Sequence, residues 1–501
     1  MKSQFWKRCK AVFFSALPLF ALPSASVAQS LEFSDEFAGS RYGISVTDLD
    51  GTILLEHRAN ERFMPASNVK LFTTVAALAA EKEIEALDLS TQLLVEPTEV
   101  GPPNLVLVGH GDPTIGFGPE CEERCLETLA KAVAEAGITE VGDLIGDDRW
   151  FPDESHPLGW NWDDLKFWFG TAISALSVND NVIPLKVSPS SQIGSNVNAT
   201  WGEAGGYYFG LKNEAITGPE EGEWALRLGR NQGDWTARVY GEMPIGARPV
   251  TIDIGLDTPA HFAVWALKQA LEAEGVAVTG QLKTRHRPLS YKDEAFSENP
   301  DDPEATRQCQ RRVEEGVAGT IIATLPPAPV QHIVDEINLD SQNLYAEVML
   351  RQLGKLEGPG SSFCGINEIQ MLMDEIGVPR TAYDIADGSG LSNYNRTTSA
   401  AITALLRHAM TTSWGPAFQD SLPVGGGEDG TLENRFRGTS LEGRIFAKTG
   451  TLNHANALSG YLQARSGKLL VFSVLVNDQP LEGPSILPEL DNMLIDIAER
   501  H

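Results

Sequence analysis

Apolar and polar residues alternate over 42–46 and 53–56, on either side of Asp50-Gly51. That is the signature of a β-hairpin closed by a tight turn. Pro65-Ala66-Ser67 then opens an apolar run over 69–80, which predicts a helix with Ser67 at its N-cap or in its first turn. Beyond about residue 92 the pattern changes. A strand is predicted at 105–108 and a helix at 126–136, while 150–168 reads as a loop unusually rich in Trp. Residues 188–247 are rich in Gly, Ser and Asn, with short alternating strands at 224–228 and 236–240, and predict a small all-β unit. A helix at 259–274 and a strand at 276–279 follow, and then a stretch at 293–306, dense in Asp, Glu and Pro, that reads as a solvated loop. Amphipathic helices resume at 330–336, 341–353 and 398–410, before strands at 444–447, 457–464 and 469–476 and a last helix at 490–499. No internal repeat is visible. The pattern predicts one α/β domain built from both chain ends, 29–92 with 328–501. Into it is inserted a second α/β unit, 93–187 with 248–327, which itself holds the β-rich unit 188–247.

The first 28 residues change the picture of where this chain works. Lys2, Lys7, Arg8 and Lys10 precede an apolar run over 11–22, and Ser26-Val27-Ala28 supplies small residues for cleavage. This is the pattern of a secretory signal peptide, and the run is short for a membrane span. Export into an oxidising, periplasmic or extracytoplasmic compartment is expected. Cys9 would leave with the signal, and Cys121, Cys125, Cys309 and Cys364 would remain. Proximity favours Cys121 with Cys125 and Cys309 with Cys364, although four cysteines allow three connectivities. A zinc site is the competing reading, and the spacings lack the paired Cys-x-x-Cys or His pair it would need.

Charge narrows the partners. The chain carries 39 Lys+Arg against 68 Asp+Glu, a formal charge of −29, and loss of the signal would take it to −33. A phosphate backbone needs clustered cations, so nucleic acid is not an expected partner. The final helix is acidic and lacks the basic face of an interfacial anchor, so any membrane contact would be peripheral at most. Nothing in the sequence bears on oligomeric state.

Candidate chemistry sits in three places. Ser67-Asn68-Val69-Lys70 is the only Ser-x-x-Lys in the chain, and on a helix this spacing puts Lys70 one turn from Ser67 on the same face. A serine hydroxyl needs a base to become a nucleophile, and a desolvated lysine can be that base. Taken alone, the motif could equally be a helix cap beside a solvated lysine. Lys448-Thr449-Gly450, also unique, follows a predicted strand; a sheet edge can aim a backbone N–H at a developing oxyanion while Lys448 attracts a carboxylate. Gly450 would allow close approach of a ligand. Ser-x-Asn occurs at Ser177-Asn179, Ser297-Asn299 and Ser341-Asn343. The first lies in the Trp-rich insert region and the second in the acidic loop. Ser341 and Asn343 head a predicted helix that could present them at a cleft, and they are the expected pair. No cofactor or metal is called for. His454, just past Lys448-Thr449-Gly450, reads as a turn histidine.

These motifs occur in the order Ser-x-x-Lys, Ser-x-Asn, Lys-Thr-Gly in a chain with a signal peptide. Together with Gly111-Asp112-Pro113-Thr114, the 174–179 stretch, Asn338 to Glu347, Asp387-Gly388-Ser389-Gly390-Leu391-Ser392, Asp429-Gly430-Thr431-Leu432 and Thr451-Leu452, the sequence resembles the class C low-molecular-mass penicillin-binding proteins. These are the D-alanyl-D-alanine carboxypeptidase/endopeptidase family of penicillin-binding serine peptidases. The resemblance implies an α/β (α+β), β-lactamase/transpeptidase-like peptidase domain with a large α/β plus β-rich insertion. It implies Ser67 as nucleophile, Lys70 as base, and Ser341 with Asn343 as proton relay and amide holder. Lys448 and Thr449 would bind the substrate carboxylate, and the Ser67 and Thr451 backbone N–H groups would form the oxyanion hole. Peptidoglycan stem peptides and β-lactams are the implied ligands.

The family also places a Trp/Asp/aromatic set on the insert facing the cleft, and Trp160, Asp163 and Trp168 have compatible spacing. Asp163 is thereby a candidate partner for a side-chain amine of the stem peptide; otherwise it is a surface acid and the tryptophans are packing. Leu391 joins the candidate substrate contacts. Where the family often has Arg after Gly-Ser-Gly-Leu-Ser, this chain has Asn393 and Tyr394. Two rival functions share the features. A β-lactamase would differ in fast deacylation, and a non-catalytic peptidoglycan receptor would need no base beside the serine.

Overall fold

Alternating sequence at the N-terminus folds as the hairpin it predicts. In the computed structural model, which describes residues 33–202, 205–289, 294–295, 308–309 and 316–501, strands Arg41–Asp48 and Ile53–His57 pair antiparallel. Gly51 closes the turn at φ 87°, in the left-handed region that glycine enters without steric cost. The expected signal peptide and nearly all of the acidic loop 293–306 lie outside the described residues.

Arg41–Asp48 pairs along its full length with Leu469–Asn477, so the two ends of the chain build one sheet. Its order is Ile53–His57, Arg41–Asp48, Leu469–Asn477, Ala455–Gln463, Ile445–Leu452, antiparallel throughout, with Ile445–Leu452 at the edge. The central strands are buried on both faces, as near-continuous apolar runs require. Helix Ser399–Met410 packs on Arg41–Asp48 and Leu469–Asn477, and helix Leu487–Arg500 on Ala455–Gln463. Helices Lys70–Ala79, Val330–Leu339 and Asn343–Glu357 pack on one another and share a core that runs from Phe63 to Leu475.

A second five-stranded sheet lies between these halves in sequence. Its order is Leu282–Arg285, Leu144–Asp147, Asn104–Val108, Thr91–Glu96, Thr320–Leu325. The first three strands are parallel, with helices Leu126–Glu135 and Pro259–Ala273 making the crossovers on a separate apolar core. The β-rich stretch forms one three-stranded sheet from Gly210–Gly218, Arg227–Gly229 and Thr236–Pro244, and contributes Asn198–Trp201 to a second with the flanking strands Val182–Ser188 and Val250–Gly255. Disulfides join Cys121 to Cys125 and Cys309 to Cys364, the connectivity that proximity favours, and occupy the thiols a zinc site would need. Among the described residues no helix is long and apolar enough to cross a membrane.

Three local expectations need correction. Ser67 is not the cap of the helix: it lies within a 3₁₀ turn, Ala66–Val69, that precedes Lys70–Ala79. Ser341 does not head a helix either. It stands two residues before Asn343–Glu357 at φ 62°, and that helix is buried on every side from Asn343 to Leu356 rather than amphipathic. Lys448-Thr449-Gly450 lies inside the edge strand Ile445–Leu452, not beyond it. The helix Ser362–Ile376, capped by the Ser361 hydroxyl and by Gly377 at φ 83°, is absent from the sequence reading, because Gly365 and Asn367 interrupt its apolar period.

Candidate active site

The edge strand and the 3₁₀ turn meet backbone to backbone. A Cβ on Gly450 would lie 2.8 Å from the Pro65 carbonyl oxygen and 3.1 Å from the Ser67 nitrogen, so only glycine lets the strand come this near. From the other side Gly390, at φ 89°, approaches closer still: a Cβ there would sit 2.0 Å from the Ala66 oxygen. Ala66 itself adopts φ 48°, an unfavourable left-handed conformation for a residue with a Cβ. Two glycines and one strained alanine therefore fix the serine's turn. Asn68 ties it to the strand, its Nδ2 donating to the Lys448 carbonyl at 3.0 Å.

One turn on, Lys70 is fully buried. Its Nζ donates to Ser67 Oγ at 3.2 Å, to Asn343 Oδ1 at 2.5 Å and to the Ser389 carbonyl at 2.7 Å. Burial brings this amine down from its usual range to about 7, against the pull of the nearby Asp387 and Glu347 carboxylates. An amine that is neutral near pH 7 and touches a hydroxyl can take its proton. Asn343, the first residue of its helix, also donates from Nδ2 to the Phe169 carbonyl at 2.8 Å, which brings the Trp-rich loop to the site. Ser341 is half-buried, and its hydroxyl has no hydrogen-bond partner among the described residues.

Lys448 is buried too, and burial first, then repulsion from Lys70, holds its amine well below the usual lysine range, with Asp340 opposing. Its Nζ donates to the Thr449 carbonyl at 3.2 Å. The Thr449 hydroxyl donates to that of Thr431 at 2.8 Å, and the Thr451 hydroxyl to Asn456 Oδ1 at 3.3 Å. Thr451 is exposed on the strand.

The candidate recognition residues are divided. Trp160 Nε1 donates to Asp387 Oδ2 at 2.9 Å, under the loop that holds Lys70. Asp163 is exposed and pairs with Lys166; both rim a groove of about 490 Å³ whose other wall includes Trp224, Arg227 and Tyr240. Trp168 is partly exposed and meets Phe169 edge-on. The Leu391 side chain is buried, with only its backbone N–H near Ser389 Oγ. Of the rival motifs, Ser177 is buried and binds the Ser174 carbonyl and Asn181, while Ser297-Asn299 lies outside the described residues. His454 occupies an exposed turn at φ 62° with Nδ1 2.8 Å from the Gln479 carbonyl.

Sequence reasoning assigned no role to Glu347, Arg351, Asp387 or Ser389, all buried at the site. One signal was available: Asn343, Glu347 and Arg351 recur every four residues and so share a helix face.

A serine bonded to a buried lysine, at the edge of an antiparallel sheet covered by helices, defines an active-serine acyltransferase or peptidase. Comparison with known proteins makes the class specific. The chain belongs to the D-Ala-D-Ala carboxypeptidase 3 (S13) family, whose model matches residues 24–296 and 310–496. It is 32% identical over 506 residues to the D-alanyl-D-alanine carboxypeptidase of Actinomadura sp. (strain R39), covering 96% of this chain and 87% of that one. It is 21% identical over 480 residues to the D-alanyl-D-alanine carboxypeptidase DacB of Haemophilus influenzae, covering 91% and 90%. The fold is similar to that of the crystal structure of penicillin-binding protein 4 from Haemophilus influenzae, with a TM-score of 0.75, 20% identity and coverage of 92% and 97%. A second structure of that protein, complexed with a β-lactam, has a TM-score of 0.69 at 17% identity, with coverage of 92% and 97%. The chain is a serine-type D-Ala-D-Ala carboxypeptidase of the penicillin-binding protein class.

Proposed function

We propose that this carboxypeptidase is exported, acts on peptidoglycan stem peptides and D-alanine cross-links, and works through an acyl-enzyme on Ser67 that β-lactams also form. The observation that carries this reading is the 3.2 Å contact between Ser67 Oγ and the Nζ of a buried Lys70 whose amine titrates near 7. Ser67 Oγ attacks the carbonyl between two D-alanines as its proton passes to Lys70. The Ser67 and Thr451 N–H groups face the oxyanion, and the close approach of Gly450 to the Ser67 nitrogen supports that pairing. The C–N bond then breaks, and the departing amine takes a proton through Ser341 and Lys448. Water hydrolyses the ester and regenerates Ser67. Asn343 holds the substrate amide, and Lys448 with Thr449 binds the terminal carboxylate.

Trp160 and Asp163 are the proposed contacts of the stem-peptide side chain, Asp163 taking a free amine once Lys166 yields it. Leu391 borders the same subsite. The signal-like first 28 residues and two disulfides support an oxidising extracytoplasmic location. In domain terms, 29–92 with 328–501 is the proposed peptidase unit, 93–187 with 248–327 the insert, and 188–247 its nested β-rich part. The β-lactam bound by the Haemophilus protein supports β-lactams as ligands here.

Covalent labelling with a reporter penicillin, read by intact mass, tests the reading. A stable one-to-one adduct on the wild-type chain that Ser67→Ala abolishes is expected. No adduct on folded wild-type protein, or an adduct that survives Ser67→Ala, overturns it; rapid loss of adduct with continued penicillin consumption moves the activity to a β-lactamase.

A further inference from the structure

Two charged side chains are completely enclosed behind the base. Glu347 and Arg351 are 0% and 1% exposed and form an i,i+4 ion pair at 3.3 Å on helix Asn343–Glu357. A buried ion pair has to offset a large desolvation cost and is weak evidence for stability in itself. What this pair holds is more informative. Arg351 is anchored by the Glu154 carbonyl at 2.8 Å and by the Glu347 carbonyl at 3.1 Å. Glu347 Oε1 accepts two successive backbone N–H groups, Gly388 at 2.9 Å and Ser389 at 2.8 Å.

Those two amides belong to the loop that reaches the base. The Ser389 carbonyl accepts from Lys70 Nζ at 2.7 Å. Asp387 braces the same loop from its other side, accepting from the amides of Gly390 at 2.9 Å and Ser392 at 2.6 Å, from Asn395 Nδ2 at 2.7 Å and from Trp160. Asn343 and Glu347 thus work from one helix face, the first bonding Lys70 directly and the second through Ser389.

We propose that Glu347 is a positioning residue for the general base: by clamping the Gly388 and Ser389 amides it fixes the carbonyl that, with Asn343 Oδ1, aims Lys70 Nζ at Ser67 Oγ. Its charge gives it a second influence. Three charged groups are coupled to it: Arg351 on its own helix, Asp387 on the loop and Lys70 at the start of helix Lys70–Ala79. His156, on the Trp-rich loop, faces Arg351. Burial keeps His156 at about 4, so it adds no charge near neutrality. Lys70 in turn repels Lys448. Burial and then Asp387 push Glu347 up to about 7, with Arg351 pulling down, and its anion in turn raises Lys70. Removing that negative charge therefore lowers the pH at which Lys70 becomes neutral.

The inference rests on the reading of Lys70 as base, and the experiment separates the two. Second-order acylation by a reporter penicillin is followed from pH 5 to 9 for wild type, Glu347→Gln and Glu347→Asp, with thermal unfolding alongside. Gln keeps an acceptor oxygen for both amides but not the charge, so the acidic limb is expected to move down, by at most about one pH unit because Glu347 itself is partly protonated near 7. Asp keeps the charge but shortens the reach. Its limb should stay in place while the plateau falls roughly 10²-fold, the scale of a 1 Å misplacement. If Glu347→Gln leaves Arg351 unpaired and does not fold, Glu347→Gln/Arg351→Met removes both charges and the limb is read there. A folded Glu347→Asp whose plateau stays within threefold of wild type, with only its melting point lowered, overturns the positioning role, and a folded Glu347→Gln whose limb coincides with wild type overturns the influence of its charge. Wild-type protein that forms no adduct defeats the reading of Ser67 and Lys70 instead.

Discussion

Gly390→Ala tests how the turn of Ser67, the proposed nucleophile, is held. The new Cβ would start 2.0 Å from the Ala66 oxygen, 2.6 Å from its carbonyl carbon and 3.0 Å from the Ser67 nitrogen, at φ 89°. All three atoms are backbone, so no side chain can swing aside. To reach an ordinary contact of about 3.4 Å the Ala66 carbonyl has to retreat by about 1.4 Å, and it carries the Ser67 turn with it. A shift near 1 Å in a reacting group costs roughly 10²-fold in rate. The left-handed backbone adds roughly 1–2 kcal/mol to the folding cost of a residue with a Cβ. Gly377→Ala separates the two effects, because Gly377 has φ 83° but nothing within 4 Å of its would-be Cβ. Both variants should lose stability in urea, Gly390→Ala the more because of its clash, whereas only Gly390→Ala should acylate about 10²-fold more slowly with a reporter penicillin. Acylation of Gly390→Ala within threefold of wild type would refute the claim that this glycine sets the position of Ser67.

Three further outcomes follow from the geometry. Lys70 has to be neutral to accept the serine proton, and burial brings it from 10.5 to about 7, so acylation should fall as pH drops through about 7; a limb near 10 would contradict a buried base. The Cys309–Cys364 bridge spans 55 residues and Cys121–Cys125 only 4, so loop entropy assigns about 4 kcal/mol to the first and about 2 to the second. Urea midpoints of the paired Cys→Ser variants should preserve that order, and equal losses would count against it. Asp163→Asn should lower kcat/KM about tenfold for a stem peptide with a free side-chain amine and leave the N-acetylated peptide unaffected, as removal of a charged hydrogen bond implies. An equal loss on both peptides would place Asp163 outside the recognition subsite.

How much of this was legible in the sequence depends on how locally each feature is encoded. Ser67 and Lys70 are three residues apart, and a helical turn suffices to join them. The strands of the main sheet were also legible, because each carries its own apolar run, but their order and the extension of the edge strand through Lys448-Thr449-Gly450 needed the structure. Ser341 was misplaced onto the helix because a composition pattern does not register a left-handed residue that is not glycine. Glu347 and Arg351 were passed over for another reason. Charged residues in a helical pattern normally mark a solvated face, and on this helix they are fully enclosed. Asp387 braces its own loop through Gly390, Ser392 and Asn395, but its bond to Trp160, more than two hundred residues earlier, needed the structure.

The chain's overall charge and the site's charge also obey different rules. A formal charge of −29 describes the chain as a whole, and it does not set the state of the two site lysines. Lys70 and Lys448 are both fully buried, and desolvation is the largest influence on each. Carboxylates do bear on them, and these are specific neighbours: the buried Asp387 and Glu347 for Lys70, and Asp340 for Lys448. Exposed acids lie in water, where salt screens them beyond a Debye length of about 8–10 Å. Changing surface Glu and Asp should therefore alter solubility far more than the pH dependence of acylation, whereas one buried carboxylate at position 347 is placed to change that dependence directly.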